Sequence, residues 1–317
     1  MIERRHYLSE PIRTLYLGGG TPSQLGAEGI RQVLAAAARH FDLSQCEEIT
    51  MEANPEDFSD LSLWPIGSLS PDIDGSLMPN RISMGVQSMV DSELRLLNRR
   101  HDAQRVVEAV NRLRDEGIRN LSLDLMYGLP SQTLETWRYS IERLLELHPE
   151  HISAYNLSVE EGTQLHRLVS QGKLSVCDDD LCIEMATLLR ELTHRAGYIQ
   201  YEISNYALPG YHSRHNSSYW DHTPYLGLGP GAHSFDGLRT RSWNDPLLVH
   251  YLQGNRSEGS EELSDIDLYN EHLMLGLRTS RGVSLSSYQT LLATHGLDSV
   301  LQSLLSRRLL RRSSDNH

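Results

Sequence analysis

The feature that most restricts how this chain can fold is a repeated change of hydrophobic period. From Thr14 onward, short apolar or β-branched runs alternate with longer stretches whose apolar residues recur at helical spacing. That alternation is the pattern of βα units and a parallel sheet. The expected strands are Thr14 to Leu17, Glu48 to Glu52, Arg81 to Val86, Leu121 to Met126 and Ile152 to Leu157, each stopping at Gly, Asn or a polar turn. Between them, the stretch from Glu28 to Phe41 carries Ile30, Val33, Leu34 and Ala37 on one helical face, and that from Thr133 to Leu147 carries Trp137, Ile141, Leu144 and Leu145. A series of this kind closes or curls into a barrel whose chemistry lies at the carboxyl ends of the strands.

Charge and composition narrow the partners. A formal net charge of -13 over 317 residues argues against nucleic acid, since phosphate binding rests on a basic face. The one basic cluster, Arg307 to Arg312, reads as the solvated face of a terminal helix. No run of about 18 apolar residues could span a membrane, and the opening Met1 to His6 lacks the apolar stretch of a secretory signal. Three cysteines, Cys46, Cys177 and Cys182, form no CxxC pair and fit a reducing compartment. The expected location is the cytoplasm.

The polar residues gather just after the strands. Gly18-Gly19-Gly20 allows close backbone approach to a ligand, although a bare βα turn would also use one or two glycines. Glu52 and Asp124 end strands on the presumed active face, where each could serve a ligand hydroxyl or amine, or a neighbouring helix terminus. Gln87 and Arg99, separated by a turn and a helix, could converge on one carboxylate. The stretch from Asp57 to Pro79 reads as a long loop with one short helix and suggests no chemistry.

Further along, His212, His215, His222 and His233 are interleaved with Tyr211, Tyr219, Trp220, Tyr225 and Trp243. That composition suits an aromatic-lined cofactor pocket with an axial metal ligand, or a surface loop with incidental histidines; the spacings match no zinc signature. The tail pairs helical patterns, Leu268 to Leu277 and Leu285 to Thr294, around Ser280-Arg281-Gly282. It suggests the start of a small helical or winged-helix domain.

Taken in order, Tyr16-Leu17-Gly18-Gly19-Gly20-Thr21-Pro22-Ser23, Glu52-Ala53-Asn54-Pro55, Arg81-Ile82-Ser83-Met84-Gly85-Val86-Gln87-Ser88 and Asp124-Leu125-Met126-Tyr127-Gly128-Leu129-Pro130 resemble the signatures of the HemN/HemW branch of radical S-adenosylmethionine (SAM) proteins. The likeness continues through Ser153 to Leu157, Gly227 to Ser234 and Met274 to Arg278, and so covers nearly the whole chain. It implies an α/β fold: an incomplete TIM-like radical SAM barrel with a small, mainly helical C-terminal domain. The expected boundaries are 1–207 for a partial barrel lacking its first βα unit, 208–262 for a heme-motif and barrel-closing region, and 263–317 for a shortened HemN-type C-terminal domain.

The same resemblance implies roles for residues. Gly19, Gly20 and Thr21 would contact the methionine part of SAM, Glu52 and Asp124 would seat the nucleoside, and Gln87 and Arg99 would complete the pocket, with Ser158 and His233 lining it. His215-Asn216-Ser217-Ser218-Tyr219-Trp220 matches the HNxxYW motif associated with heme in HemW proteins, which makes His215, Asn216, Tyr219 and Trp220 heme-site candidates and His215 a candidate iron ligand. This favours a heme chaperone that passes heme to an acceptor protein over the alternative, an oxygen-independent coproporphyrinogen III dehydrogenase, or an inactive fragment of either. A homodimer is compatible with it.

One departure stands out. Relatives hold a [4Fe-4S] cluster with the thiolates of a CxxxCxxC motif, and no such motif occurs here. No cluster ligand is therefore assigned, and SAM cleavage is not expected from the chain as written.

Overall fold

The computed structural model describes residues 10–69, 77–254, 259–284 and 298–312. They fall into two compact units, one within residues 1–200 and 204–218, the other within residues 201–203 and 219–317.

The first unit is built on seven strands: β1 (Thr14–Leu17), β2 (Glu48–Ala53), β3 (Arg81–Gln87), β4 (Leu121–Tyr127), β5 (His151–Asn156), β6 (Ile199–Gln200) and β7 (Asn205–Ala207), in the order β1-β2-β3-β4-β5-β7-β6. The first five run parallel, as the alternating periods require. The last two depart from that expectation: β7 pairs antiparallel with β5, and β6 antiparallel with β7. Only four residues separate β6 and β7, and a parallel return needs a crossover of a dozen or more.

Parallel sheets buried on both faces read as continuous apolar runs; these strands do not. One face carries Ile49, Met51, Ile82, Met84, Leu121, Leu123 and Ile152, all within the hydrophobic core. Each such side chain contributes about 1.5–3 kcal/mol by leaving water. Residues of the opposite parity, Thr50, Glu52, Arg81, Ser83, Ser122, Asp124, His151 and Ser153, line the other face. Period-2 alternation in a parallel sheet means one side is reserved for polar contents.

The apolar face is covered by α1 (Gly26–His40), α2 (Asp91–Leu96), α3 (Ala103–Asp115), α4 (Leu134–Leu145) and α6 (Asp179–Arg195), with the short α5 (Gln164–Ser170) between the last two. α1 buries Ile30 and Leu34, and α3 buries Val106, Val110 and Leu113. α3 starts where Asp102 accepts from the Arg105 amide at 2.9 Å. α4 opens with a reciprocal cap between Thr133 and Thr136. It then packs Trp137 against α6, where the indole N–H donates to the Met185 carbonyl at 2.9 Å.

The stretch after Asp57 is more ordered than a loop. A 3-10 turn spans Pro55–Ser59, Trp64 is 1% exposed, and the Glu116 carboxylate accepts from the amides of Gly67 and Leu69 at 2.8 and 3.2 Å. Its remainder, residues 70–76, lies outside the described residues, as does the helix expected from Leu285 to Thr294.

Helix α7 (Arg214–Trp220) carries the chain from the first unit into the second. There, β8 (His233–Phe235), β9 (Thr240–Trp243) and β10 (Gly259–Glu262) form an antiparallel sheet, followed or interrupted by α8 (Leu248–Leu252), α9 (Asp265–Leu277) and α10 (Asp298–Ser306). Arg241 on β9 grips Glu271 on α9 with two hydrogen bonds of 2.6 and 2.7 Å. No helix among the described residues is long and apolar enough to cross a membrane.

Candidate functional site

The carboxyl ends of β1 to β5 bring together most of the residues singled out in the sequence. After β1 the chain turns through Gly18, Gly19 and Gly20. A Cβ on Gly18 would lie 2.5 Å from Tyr16 Cε1 and 2.9 Å from Glu52 Oε1, so any side chain there would displace the Tyr16–Glu52 pair. Gly19 adopts φ +80°, where L side chains are strained. Around Gly19 and Gly20 nothing lies within 4 Å of where a Cβ would be, which leaves an open cradle of backbone.

Glu52 is held from two directions: the Tyr16 hydroxyl donates to Oε1 at 2.8 Å and the Gly19 amide to Oε2 at 3.1 Å. Burial and the neighbouring Glu52 carboxylate push the Tyr16 phenol well above its usual range, so it stays a donor. Thr21 begins the 3-10 turn Pro22–Leu25. Ser23 Oγ then donates to Asp57 at 2.5 Å, and Asp57 also accepts from the Asn54 amide at 3.1 Å, which ties the β1 loop to the β2 loop.

At the end of β3 the register with β4 slips between Gly85 and Gln87, and Gln87 takes φ +70°. The bulge re-aims its side chain. A Cβ on Gly85 would stand 2.9 Å from Gln87 Nε2, 3.6 Å from Asn54 Oδ1 and 3.9 Å from Arg99 Nη2. Gln87, Asn54 and Arg99 therefore converge over Gly85, and Arg99 donates to Asn54 Oδ1 at 3.4 Å. Burial pulls the Arg99 guanidinium below its ordinary pKa, with Glu56 and Asp124 opposing. Burial also works against the Glu56 charge, but the His101 hydrogen bond at 3.1 Å and nearby Arg99 prevail and hold its carboxyl below the usual range.

Asp124 sits in register between Gly85 of β3 and Ser153 of β5. Burial raises its pKa to about 6, against the opposing pull of Ser153, Arg81 and Ser83. Ser83 Oγ donates to it at 3.3 Å and Ser122 Oγ at 3.4 Å. Ser158 is exposed two residues beyond β5, where its hydroxyl donates to Glu160 at 2.7 Å. His233 belongs to the second unit, where it opens β8 beside Trp243 with ring centroids 5.9 Å apart.

His215 lies at the opposite, amino end of the strands. Its Nδ1 is 2.9 Å from Thr14 Oγ1, and its ring stacks on Tyr16 at 4.8 Å and 20°. Glu48, at the start of β2 and 3% exposed, accepts from the amides of Arg214 and His215 at 2.9 and 3.0 Å and so caps α7. Burial, reinforced by Arg81 and opposed by Glu48, lowers the His215 pKa. The Asn216 amide donates to Ser213 Oγ at 3.2 Å. Beyond it, Tyr219 meets Tyr225 edge to face at 4.9 Å, and Arg278 lies over the Trp220 ring at 5.5 Å.

Sequence reasoning missed Tyr16, Glu48, Asn54, Arg81 and Gly85. Their signal was the period-2 polar alternation along strands otherwise apolar enough to be read as buried throughout. The cysteines stand as free thiols whose pKa values burial raises. Among the described residues no three His, Cys, Asp or Glu gather as a metal site. The residues present fit SAM, with an open glycine cradle flanked by a carboxylate and a guanidinium, and do not fit a [4Fe-4S] cluster.

Comparison with known proteins identifies the family. Residues 2–144 match the Radical SAM superfamily. The chain is 36% identical over 284 residues to the heme chaperone HemW of Lactococcus lactis, an alignment that takes in 88% of this chain and 72% of that protein. It is 35% identical to HemW of Synechocystis, with 89% and 68% covered. Among solved structures, coproporphyrinogen III oxidase (HemN) of Escherichia coli superposes with a TM-score of 0.74 over 97% of this chain and 74% of that one, at 20% identity, which is a likeness of fold.

Proposed function

Because the chain belongs to the HemW family of the radical SAM superfamily, we propose that it is a heme chaperone that binds heme, holds SAM at the carboxyl ends of its strands, and passes the heme to an acceptor protein. The observation that carries this reading is the identity to HemW proteins over nearly nine tenths of the chain. A cytoplasmic setting belongs to the same reading and is supported by the free thiols.

The residues divide the work. Gly19, Gly20 and Thr21 receive the methionine end of SAM on open backbone, and Arg99 with Gln87 supplies the charge-assisted fork that a carboxylate takes. Glu52 and Asp124 accept from the nucleoside hydroxyls, with Tyr16 fixing the Glu52 rotamer. Ser158, just beyond β5, lines the pocket. In the family, SAM bound to a [4Fe-4S] cluster supplies radical chemistry; Cys46, Cys177 and Cys182, scattered free thiols, do not fit such a cluster. Heme belongs to the segment that carries Asn216, Tyr219 and Trp220, and the rings of the last two offer stacking faces to a planar macrocycle.

Titration of the purified chain with ferric heme tests the reading, with calorimetry of S-adenosylhomocysteine binding alongside. A shifted, saturable Soret band is expected, together with nucleoside binding that Glu52→Gln weakens about tenfold or more. Heme that keeps its free spectrum at micromolar concentration would overturn the chaperone reading, and anaerobic conversion of coproporphyrinogen III would then be the reaction to assay.

A further inference from the structure

Two ring nitrogens in the second unit, Trp220 Nε1 and His222 Nε2, are buried without a hydrogen-bond partner. Each such orphan costs about 1–3 kcal/mol, and orphans of this kind mark sites where an ion, a ligand or strain has a role. His222 is also held at φ +53°, a conformation uncommon outside glycine. Two unfavourable features on one residue ask for a compensating function.

The surroundings suit an iron porphyrin. The His222 ring packs on His272 of α9 with centroids 3.9 Å apart and planes tilted by 37°, and edge-on to Phe235 at 5.8 Å. Tyr225 lies between Tyr219 and Phe235, at 4.9 and 6.3 Å, so aromatic faces line the neighbourhood. Burial, with His272 and Arg241 beside it and Glu271 opposing, lowers the His222 pKa and so favours the neutral form that binds iron. Glu271 is occupied by Arg241 and does not compete for it. Arg278, over Trp220, makes no ion pair among the described residues and leaves a cation for a propionate.

The cover on His222 is the ring of an exposed residue. His272 can change rotamer quickly without disturbing a core. His215, by contrast, is engaged with Thr14 and Tyr16 on the sheet.

We propose that His222, rather than His215, is the axial ligand of the heme iron, uncovered when the His272 ring turns toward solvent. The assignment rests on the heme-binding reading above and names the residue that reading leaves open. Coordination would satisfy the orphaned Nε2 and explain why His222 is kept in a strained backbone position.

Ferric heme titration of the full chain tests it, comparing wild type with His222→Gly, His272→Ala and His215→Gln. Glycine relieves the positive φ, so His222→Gly is expected to fold, with circular dichroism as the check. The expected result is an affinity loss of about tenfold or more in His222→Gly, with altered ligand-field bands that added imidazole restores. His272→Ala should bind heme faster, and His215→Gln should lower the melting temperature while the Soret band keeps its wild-type position. An unchanged spectrum in His222→Gly, or a loss confined to His215→Gln, overturns the assignment. A wild type without a shifted band overturns the heme reading, and the assignment with it.

Discussion

A side chain at Gly18 would meet the Tyr16 ring and the Glu52 carboxylate, which close over it. Gly18→Ala is expected to displace that pair, at a cost of about 1–3 kcal/mol in stability and about a tenfold loss of S-adenosylhomocysteine affinity, read by urea melts and calorimetry. Asp124 gives a prediction with a definite sign. Its folded pKa of about 6 lies above the ordinary 3.8, so its contribution to stability is fully present below pH 3.8 and lost as pH rises through about 6. Asp124→Asn should abolish that loss, on the order of 1–3 kcal/mol, so the variant gains on wild type between those pH values. His151 works the other way: burial holds it well below 6.5, so stability falls as pH drops below 6.5. The difference between wild type and Asp124→Asn at each pH, from chemical unfolding, isolates the carboxylate.

At the scale of elements, the first turn of α7 depends on a residue far away in sequence. The local cap, Ser213, accepts only from the Asn216 amide, and Glu48 on β2 accepts from the two remaining first-turn amides, those of Arg214 and His215. Glu48→Ala should therefore cost about 1–3 kcal/mol and remove hydrogen-exchange protection at Arg214 and His215. Protection across α4 should be retained. Unchanged exchange at those two amides would show that the cap contributes nothing. The strands and the major helices were legible from period alone, because covered strands and amphipathic helices impose their spacing on sequence. The antiparallel pair β6 and β7 was not, since two and three residues are too few to show a period.

Across the whole molecule, the charge of -13 and a sequence pI of about 5.6 predict that self-association rises as pH falls toward 5.6, where net repulsion vanishes. Light scattering between pH 8 and that value checks this; a flat profile would place apolar surface, rather than charge, in control. The sequence by itself determined the fold class and most of the residues gathered around the carboxyl ends of the strands, because Gly-rich turns and strand-borne carboxylates carry their constraints locally. Gly19, Glu52 and Gln87 lie at or just after the carboxyl ends of parallel strands and Asp124 lies within β4, where sequence order and spatial order coincide; Arg99 reaches them from beyond α2. Only the tertiary structure decided the place of the histidines. His215 and His222 are seven residues apart in one motif-bearing stretch. The first is engaged by Thr14 and Tyr16 of β1, and the second is left with an orphaned nitrogen beside His272. Those partners lie tens to hundreds of residues away, and long-range packing, which no local pattern encodes, determines which imidazole remains available.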